Sequence, residues 1–188
     1  MRHLLQAAII GCAVASAATA QSCPDAPDHI DGVSDLIAQT QKAGSETEAR
    51  VFSSQMWELW TDAPDAKSQT MLDRGMARRE AWDLIGALDE LNALVDYCPQ
   101  YAEGYNQRAF VNYLRQDYGS ALRDLDIAIE LSPNHVAAIS GRALSLLGLN
   151  RLDEARTALK DALDLNPWLS ERALLAPGGP LDPPGQDI

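Results

Sequence analysis

Residues 105–133 read YNQRAFVNYLRQDYGSALRDLDIAIELSP, and the spacing of their small and apolar residues decides the fold. Tyr105, Ala109 and Tyr113, with Phe110 and Leu114 beside them, follow the i, i+4, i+8 rhythm of one helical face. Leu122, Leu125, Ala128 and Ile129 make a second such face. Small residues at 109, 121 and 128 let the two helices cross closely, because interaxial distance depends on the side chains at the contact. Asp117 stands where the second helix begins, placed to accept from orphan N–H groups and to complement the dipole. Pro133 ends that helix, since the residue before a proline is pushed out of the α region. The same proline suits the first turn of a following helix, which needs no N–H there.

The pattern recurs. Pro99, Pro133 and Pro167 are spaced by 34, and Gly75, Ala109 and Ala143 keep the same interval. Met71, Tyr105 and Ile139 are in step, as are Arg74, Arg108 and Arg142, and Leu91, Leu125 and Leu159. Ala87, Ala121 and Ala155 follow, then Leu94, Ala128 and Ala162. A period of about 34 with small residues and a terminal proline marks a helical repeat array. One helical hairpin cannot bury both its apolar faces, so neighbours stack.

On these residues the chain resembles the tetratricopeptide repeat (TPR) family over positions 68 to 167. The resemblance implies an all-α fold, an antiparallel helix-pair solenoid, and a binding scaffold. In that family the first helix of each repeat lines a concave groove holding an extended peptide or a partner's helix. Carried over by register, the groove residues are Gln69, Leu72, Asp73, Met76 and Arg79 from one repeat. The next gives Glu103, Asn106, Gln107, Phe110 and Tyr113, and the third Ala137, Ser140, Gly141, Leu144 and Leu147. This lining carries little positive charge. It departs from the basic, carboxylate-holding groove of some relatives, so a C-terminal carboxylate ligand is not expected. Asn106 and Gln107 are suited to a ligand's backbone, Phe110 and Tyr113 to rigid contact area. Phe110 follows the small Ala109 and points about 100° away from the helix crossing. The competing reading, with Phe110 and Tyr113 in the core of the superhelix, stays open here. The arginines at 74, 108 and 142 are expected to pack their stems between helices and to meet acidic neighbours.

Full repeats are read at 68–101, 102–135 and 136–169. Residues 33–67 read as a degenerate N-terminal capping repeat. Val33, Leu36, Ile37 and Thr40 trace its first face, and Val51, Phe52, Met56, Leu59 and Trp60 its second. Ala49 to Ala87 is 38 residues, beyond the period, and Asp62-Ala63-Pro64-Asp65 absorbs the excess as a turn. Trp57 and Trp60 are expected in the packing of this cap rather than as an exposed pair. A capping helix is expected over 168–176, and 177–188 is read as a disordered Pro/Gly-rich tail.

Residues 1–20 read as a secretory signal peptide, with Arg2 and His3, an apolar run and Ala18-Thr19-Ala20 before Gln21. The rival is a lipoprotein box, Ile9-Ile10-Gly11-Cys12, which leaves only eleven residues before the cleavage point. No Asn-X-Ser/Thr acceptor occurs, which favours a bacterial envelope, so the expected location is the periplasm. An acidic leader follows at 21–32. Cleavage leaves Cys23 and Cys98, and two cysteines in an exported chain invite a disulfide; a buried thiol at 98 and a free one at 23 is the alternative. Cys23, Asp25, Asp28, His29 and Asp31 match no known metal-ligand spacing.

With 27 acidic and 15 basic residues the net charge is −12, against a nucleic-acid role and in favour of a basic partner if a charged one exists. No catalytic constellation appears. The mature chain has only His29 and His135, without a nucleophile beside either, and no phosphate-cradling glycine loop. The expected function is therefore non-catalytic: a periplasmic scaffold that holds another envelope protein and needs no cofactor. A self-associating envelope component is the alternative, and a metal-binding or enzymatic N-terminal segment a third reading. A membrane association is expected only if Cys12 carries lipid.

Overall fold

The computed structural model describes residues 22–182; the expected signal peptide, Cys12 and the last part of the expected tail lie outside them. Among the described residues the chain forms helices and no strand. In order these are α1 (Ile30–Lys42), α2 (Glu46–Trp60), α3 (Ala66–Glu80), α4 (Leu84–Tyr97), α5 (Ala102–Leu114), α6 (Tyr118–Leu131), α7 (Val136–Gly148) and α8 (Leu152–Leu165). A 3-10 turn, Ser170–Leu175, follows.

Local chemistry sets these boundaries. Asp65 caps α3 by accepting from the Ser68 N–H, and the Ser68 hydroxyl closes the box by accepting from Asp65 N–H. Asp83 accepts from Gly86 at the start of α4, and Asp117 from Ser120 at the start of α6. Pro99, Pro133 and Pro167 each stand two residues beyond the end of α4, α6 and α8. The turns after α3, α5 and α7 each use one left-handed residue: Trp82 (φ 60°), Gln116 (φ 62°) and Asn150 (φ 58°). These positions keep the repeat's interval. Asparagine tolerates that backbone, whereas tryptophan and glutamine adopt it under strain.

α3 with α4, α5 with α6 and α7 with α8 form antiparallel pairs, and each pair stacks on the next through α4–α5 and α6–α7. The small residues work as the sequence requires. A Cβ on Gly75 would lie 2.7 Å from Leu91 Cγ, so only glycine fits where α3 crosses α4 at this distance. Leu72, Leu91, Leu94, Val111, Leu146 and Leu159 are wholly buried along the array. Each such side chain contributes about 1.5–3 kcal/mol relative to exposure.

The first hairpin departs from the expected cap. Rather than stacking on α3 and α4, α1 and α2 reach across to the last repeat. Val33, Ile37 and Met56 are buried with Val136 of α7, flanked by Leu165 at the end of α8 and by Leu169 just beyond it. Gln41 donates to the Asp164 carbonyl (2.7 Å), Asn166 to the Ser53 hydroxyl (3.3 Å), and Arg172 pairs with Glu46 (3.1 Å). The out-of-period segment 61–65 provides the slack, and the buried stripe of the hairpin finds an apolar edge at the far end of the chain. Near its base, the leader is bonded to the array by a disulfide between Cys23 and Cys98, whose Cα atoms are 5.1 Å apart.

The C-terminal segment also differs from its reading. A 3-10 turn stands in place of the expected helix, and Leu174 and Leu175 pack on the core of α7 and α8. Residues 177–182 are ordered against the array rather than a loose tail. Leu181 is fully buried in the same core, its N–H donates to Leu174 O (2.9 Å), and Arg156 donates to its carbonyl (3.1 Å).

Candidate functional site: a half-covered groove

The inner helices α3, α5 and α7 line the concave side, and the hairpin covers part of it. Beneath the hairpin base lies a buried polar chain. The Glu103 carboxylate is almost fully buried and accepts from Asn106 (3.0 Å), from the Gln107 amide and from His135 Nε2 (2.8 Å). His135 Nδ1 accepts from the Ala138 N–H at the start of α7, which leaves the proton on Nε2 to be donated to Glu103. Arg79 donates to the side-chain amide oxygen Oε1 of Gln107 and so extends the chain by one more residue. Trp60 lies flat on the His135 ring, centroids 4.2 Å apart and planes 12° apart, and its carbonyl accepts from the Tyr101 hydroxyl (2.8 Å). Burial drives the Tyr101 phenol far above its ordinary range, with the Glu103 charge adding to it.

The uncovered part is a slot of about 290 Å³. Phe110 stands in it, 44% exposed, with the Arg79 guanidinium over its ring at 4.8 Å. Burial lowers the Arg79 pKa, opposed by Glu80 and Glu103. Tyr113 and Leu144, Ser140 and Gly141, and Trp57 of the hairpin also line the slot. Leu169 and Glu171, from the segment after α8, complete the lining.

Of the residues assigned by register, Arg79, Asn106, Gln107, Phe110, Tyr113, Ser140 and Leu144 come together at this slot, with Ala137 and Gly141. Leu72 does not: it is wholly buried between α3 and α4 with Ala87 and Leu91, which corrects its assignment to the groove. Glu103 is likewise no surface group but the acceptor at the centre of the buried chain. Asn106 and Gln107 touch the slot while spending their amides on Glu103. Gln69 is bonded to Ala63 N–H and to Asp73, next to the connection from the hairpin, and Met76 packs on the α3–α4 core. Trp57, Leu169 and Glu171 were not foreseen; none lies on a helix that register assigns to the groove. The recurrent arginines act structurally where pairs form: Arg108 holds Asp124 with two bonds (2.9 and 2.6 Å), and Arg142 holds Asp126 (2.8 Å). The bond to Asp124 raises the Arg108 pKa, against the effect of burial.

No protein-family model matches the chain. It is similar to a tetratricopeptide repeat protein 36 homolog of Nematostella vectensis, 49% identical over 65 residues, 35% of this chain and 36% of that protein. It is also similar to a TPR repeat-containing protein of Rhizobium etli, 24% identical over 132 residues, 70% of this chain and 65% of that one. The chain thus spans less than two thirds of either relative. Among solved structures, the first TPR of Spaghetti (RPAP3), bound to the HSP90 peptide SRMEEVD, superposes with a TM-score of 0.55 at 22% identity. That match covers 56% of this chain and 83% of the other. The fold is an all-α TPR-like helix-pair solenoid. Kinship with TPR proteins is supported by these relatives.

Proposed function

We propose that this protein is a non-catalytic interaction scaffold of the bacterial periplasm, exported by a signal peptide ending at Ala20. It takes a short apolar segment of a partner protein in the slot beside Phe110. The observation that carries this reading is Phe110 itself: a large aromatic ring left 44% exposed in a concave slot that Trp57 also lines, with the Arg79 guanidinium over it. Rigid aromatic rings beside arginine are the usual anchors of interfaces. At about 290 Å³ the slot lies at the bottom of the range for small-molecule pockets, so it suits a few side chains rather than a long peptide. The Spaghetti TPR, whose structure holds a peptide of HSP90, supports peptide binding as the use of such a groove. A basic clamp for a terminal carboxylate is not part of this reading, because Arg79 is the one Lys or Arg among the slot residues.

Photo-crosslinking tests it. With benzoylphenylalanine at position 113, the exported chain is expected to capture one envelope protein in whole cells, and Phe110→Ala is expected to abolish the adduct. Adducts only to a second copy of this chain would instead select the self-associating reading. Intact mass of the exported chain checks the leader: a mature start at Gln21 is expected, and a lipid increment on Cys12 would refute it.

A further inference from the structure

A second cavity, of about 480 Å³, lies where the leader, the base of the α1–α2 hairpin and the turns before α5 and α7 meet. It shares no residue with the slot beside Phe110 and only Glu103 with the groove by register, and its size falls within the range of about 300–1,000 Å³ typical of small-ligand sites. Ile30, Leu59 and the ring of Trp60 give it apolar walls. Its charged lining is one-sided: Asp28, Asp62 and Glu103 contribute carboxylates, and no lysine or arginine lines it. The two imidazoles present are His29, bonded to Asp62 at 2.8 Å, and His135, bonded to Glu103 at 2.8 Å. Two imidazoles cannot outweigh three carboxylates, so the cavity is negative whatever their protonation. Asp62 remains about half exposed and Asp28 uses one oxygen on the Ile30 N–H, so both keep acceptor capacity for a ligand.

We propose that this cavity binds an organic cation, an ammonium or guanidinium head on a short apolar stem. The head meets Asp62 and Asp28 at the mouth, where a charge-assisted bond is stronger than a neutral one. The stem lies along Leu59 and Ile30 against the Trp60 ring, whose face favours a nearby cation. A neutral or anionic ligand of the same shape lacks the first contact, and an anion meets repulsion from every carboxylate in the lining. The chemistry is shared by a free amine and by a lysine side chain of a partner protein.

Calorimetric titration of the oxidised full mature chain separates these cases, with hexylamine, hexanol, hexanoate and the capped tripeptide acetyl-Leu-Lys-Leu-amide as probes. Hexylamine or the tripeptide is expected to saturate with a Kd below about 1 mM, with hexanol and hexanoate at least about tenfold weaker. The tighter of the two cations names the source. Asp62→Asn and Asp28→Asn are each expected to weaken the cation at least about threefold without lowering Tm, and Leu144→Ala in the slot is expected to leave it unchanged. Equal binding of hexanol, failure of both cations to saturate, or indifference to both aspartate variants would overturn the proposal. A loss in Leu144→Ala alone would assign the binding to the slot and overturn it equally.

Discussion

Phe110 and Glu103 stand seven residues apart on α5, and the covering of the groove divides them. Phe110 is exposed enough that Phe110→Ala should cost only about 0.5–1 kcal/mol in denaturant unfolding, well short of the loss of about 3–5 kcal/mol expected from a core phenylalanine. Partner capture should fall away in the same variant. A core-sized loss with capture intact would remove Phe110 from the site. Glu103→Ala should behave the opposite way. It strands the His135 Nε2–H and the Asn106 and Gln107 amides without their acceptor, and each buried donor left unpaired costs about 1–3 kcal/mol. If Glu103→Ala unfolds at the wild-type denaturant concentration, the buried chain has no structural weight. The sequence marked both residues by the same register argument, which knows the face a residue points to but not what covers that face. A glutamate on a helix ordinarily reads as solvated. The only sequence hint of its partner is His135, sited at a helix start where a capping residue belongs.

At the scale of elements, the α1–α2 hairpin carries most of the surprise. Its two apolar stripes were legible, and so was the break in period before α3. The surface it packs against was not, because the match between Met56, Val136 and Leu165 joins residues remote in sequence. The disulfide anchors the leader that feeds this hairpin, closing a loop of 75 residues. Restricting the unfolded chain in this way commonly stabilises by about 2–4 kcal/mol. Reduction, or the double variant Cys23→Ser with Cys98→Ser, should therefore lower the denaturant midpoint, and amide exchange should quicken in α1 and α2 more than in α5 to α8. Uniform acceleration over all helices would show that the bond stabilises the array as a whole rather than the docking of the hairpin. An oxidising compartment, as proposed here, keeps the bond formed.

For the whole molecule, acid is the informative variable. Bonds from Ser68 and Tyr97 hold the Asp65 carboxyl below its ordinary range; the bond from Gly86 N–H, with Arg78 beside it, does the same for Asp83, and Ser120 does so for Asp117. A carboxyl with a lowered folded pKa stabilises the fold above its unfolded value, about 3.9, and that contribution is lost as pH falls through the folded value. Relief of self-repulsion in a chain of net charge −12 acts with the opposite sign on the way down from neutrality. Tm is thus expected to drop once pH passes below about 4, and to drop less steeply when the three aspartates are replaced by asparagine. A Tm that keeps rising to pH 3 would contradict the capping account. At this scale the three repeats were readable, since a period of 34 fixes helix count, length and neighbours together. The ordered stretch 177–182 was not, because Pro and Gly composition hides one buried leucine.

The bond from Gln41 to Asp164 spans 123 residues. An open solenoid has two free ends, and its repeats can peel away one at a time because each touches only its neighbours. Here the first hairpin is clasped to the last helix, so neither end is free to start the peeling. The chain forgoes the step-by-step fraying of a repeat array and gains the all-or-none character of a closed ring. The same clasp slows assembly, because loop closure over such a separation precedes the reward of the contact. During synthesis the hairpin completes its grip only when the end of α8 has been made, and until then part of its buried stripe faces water.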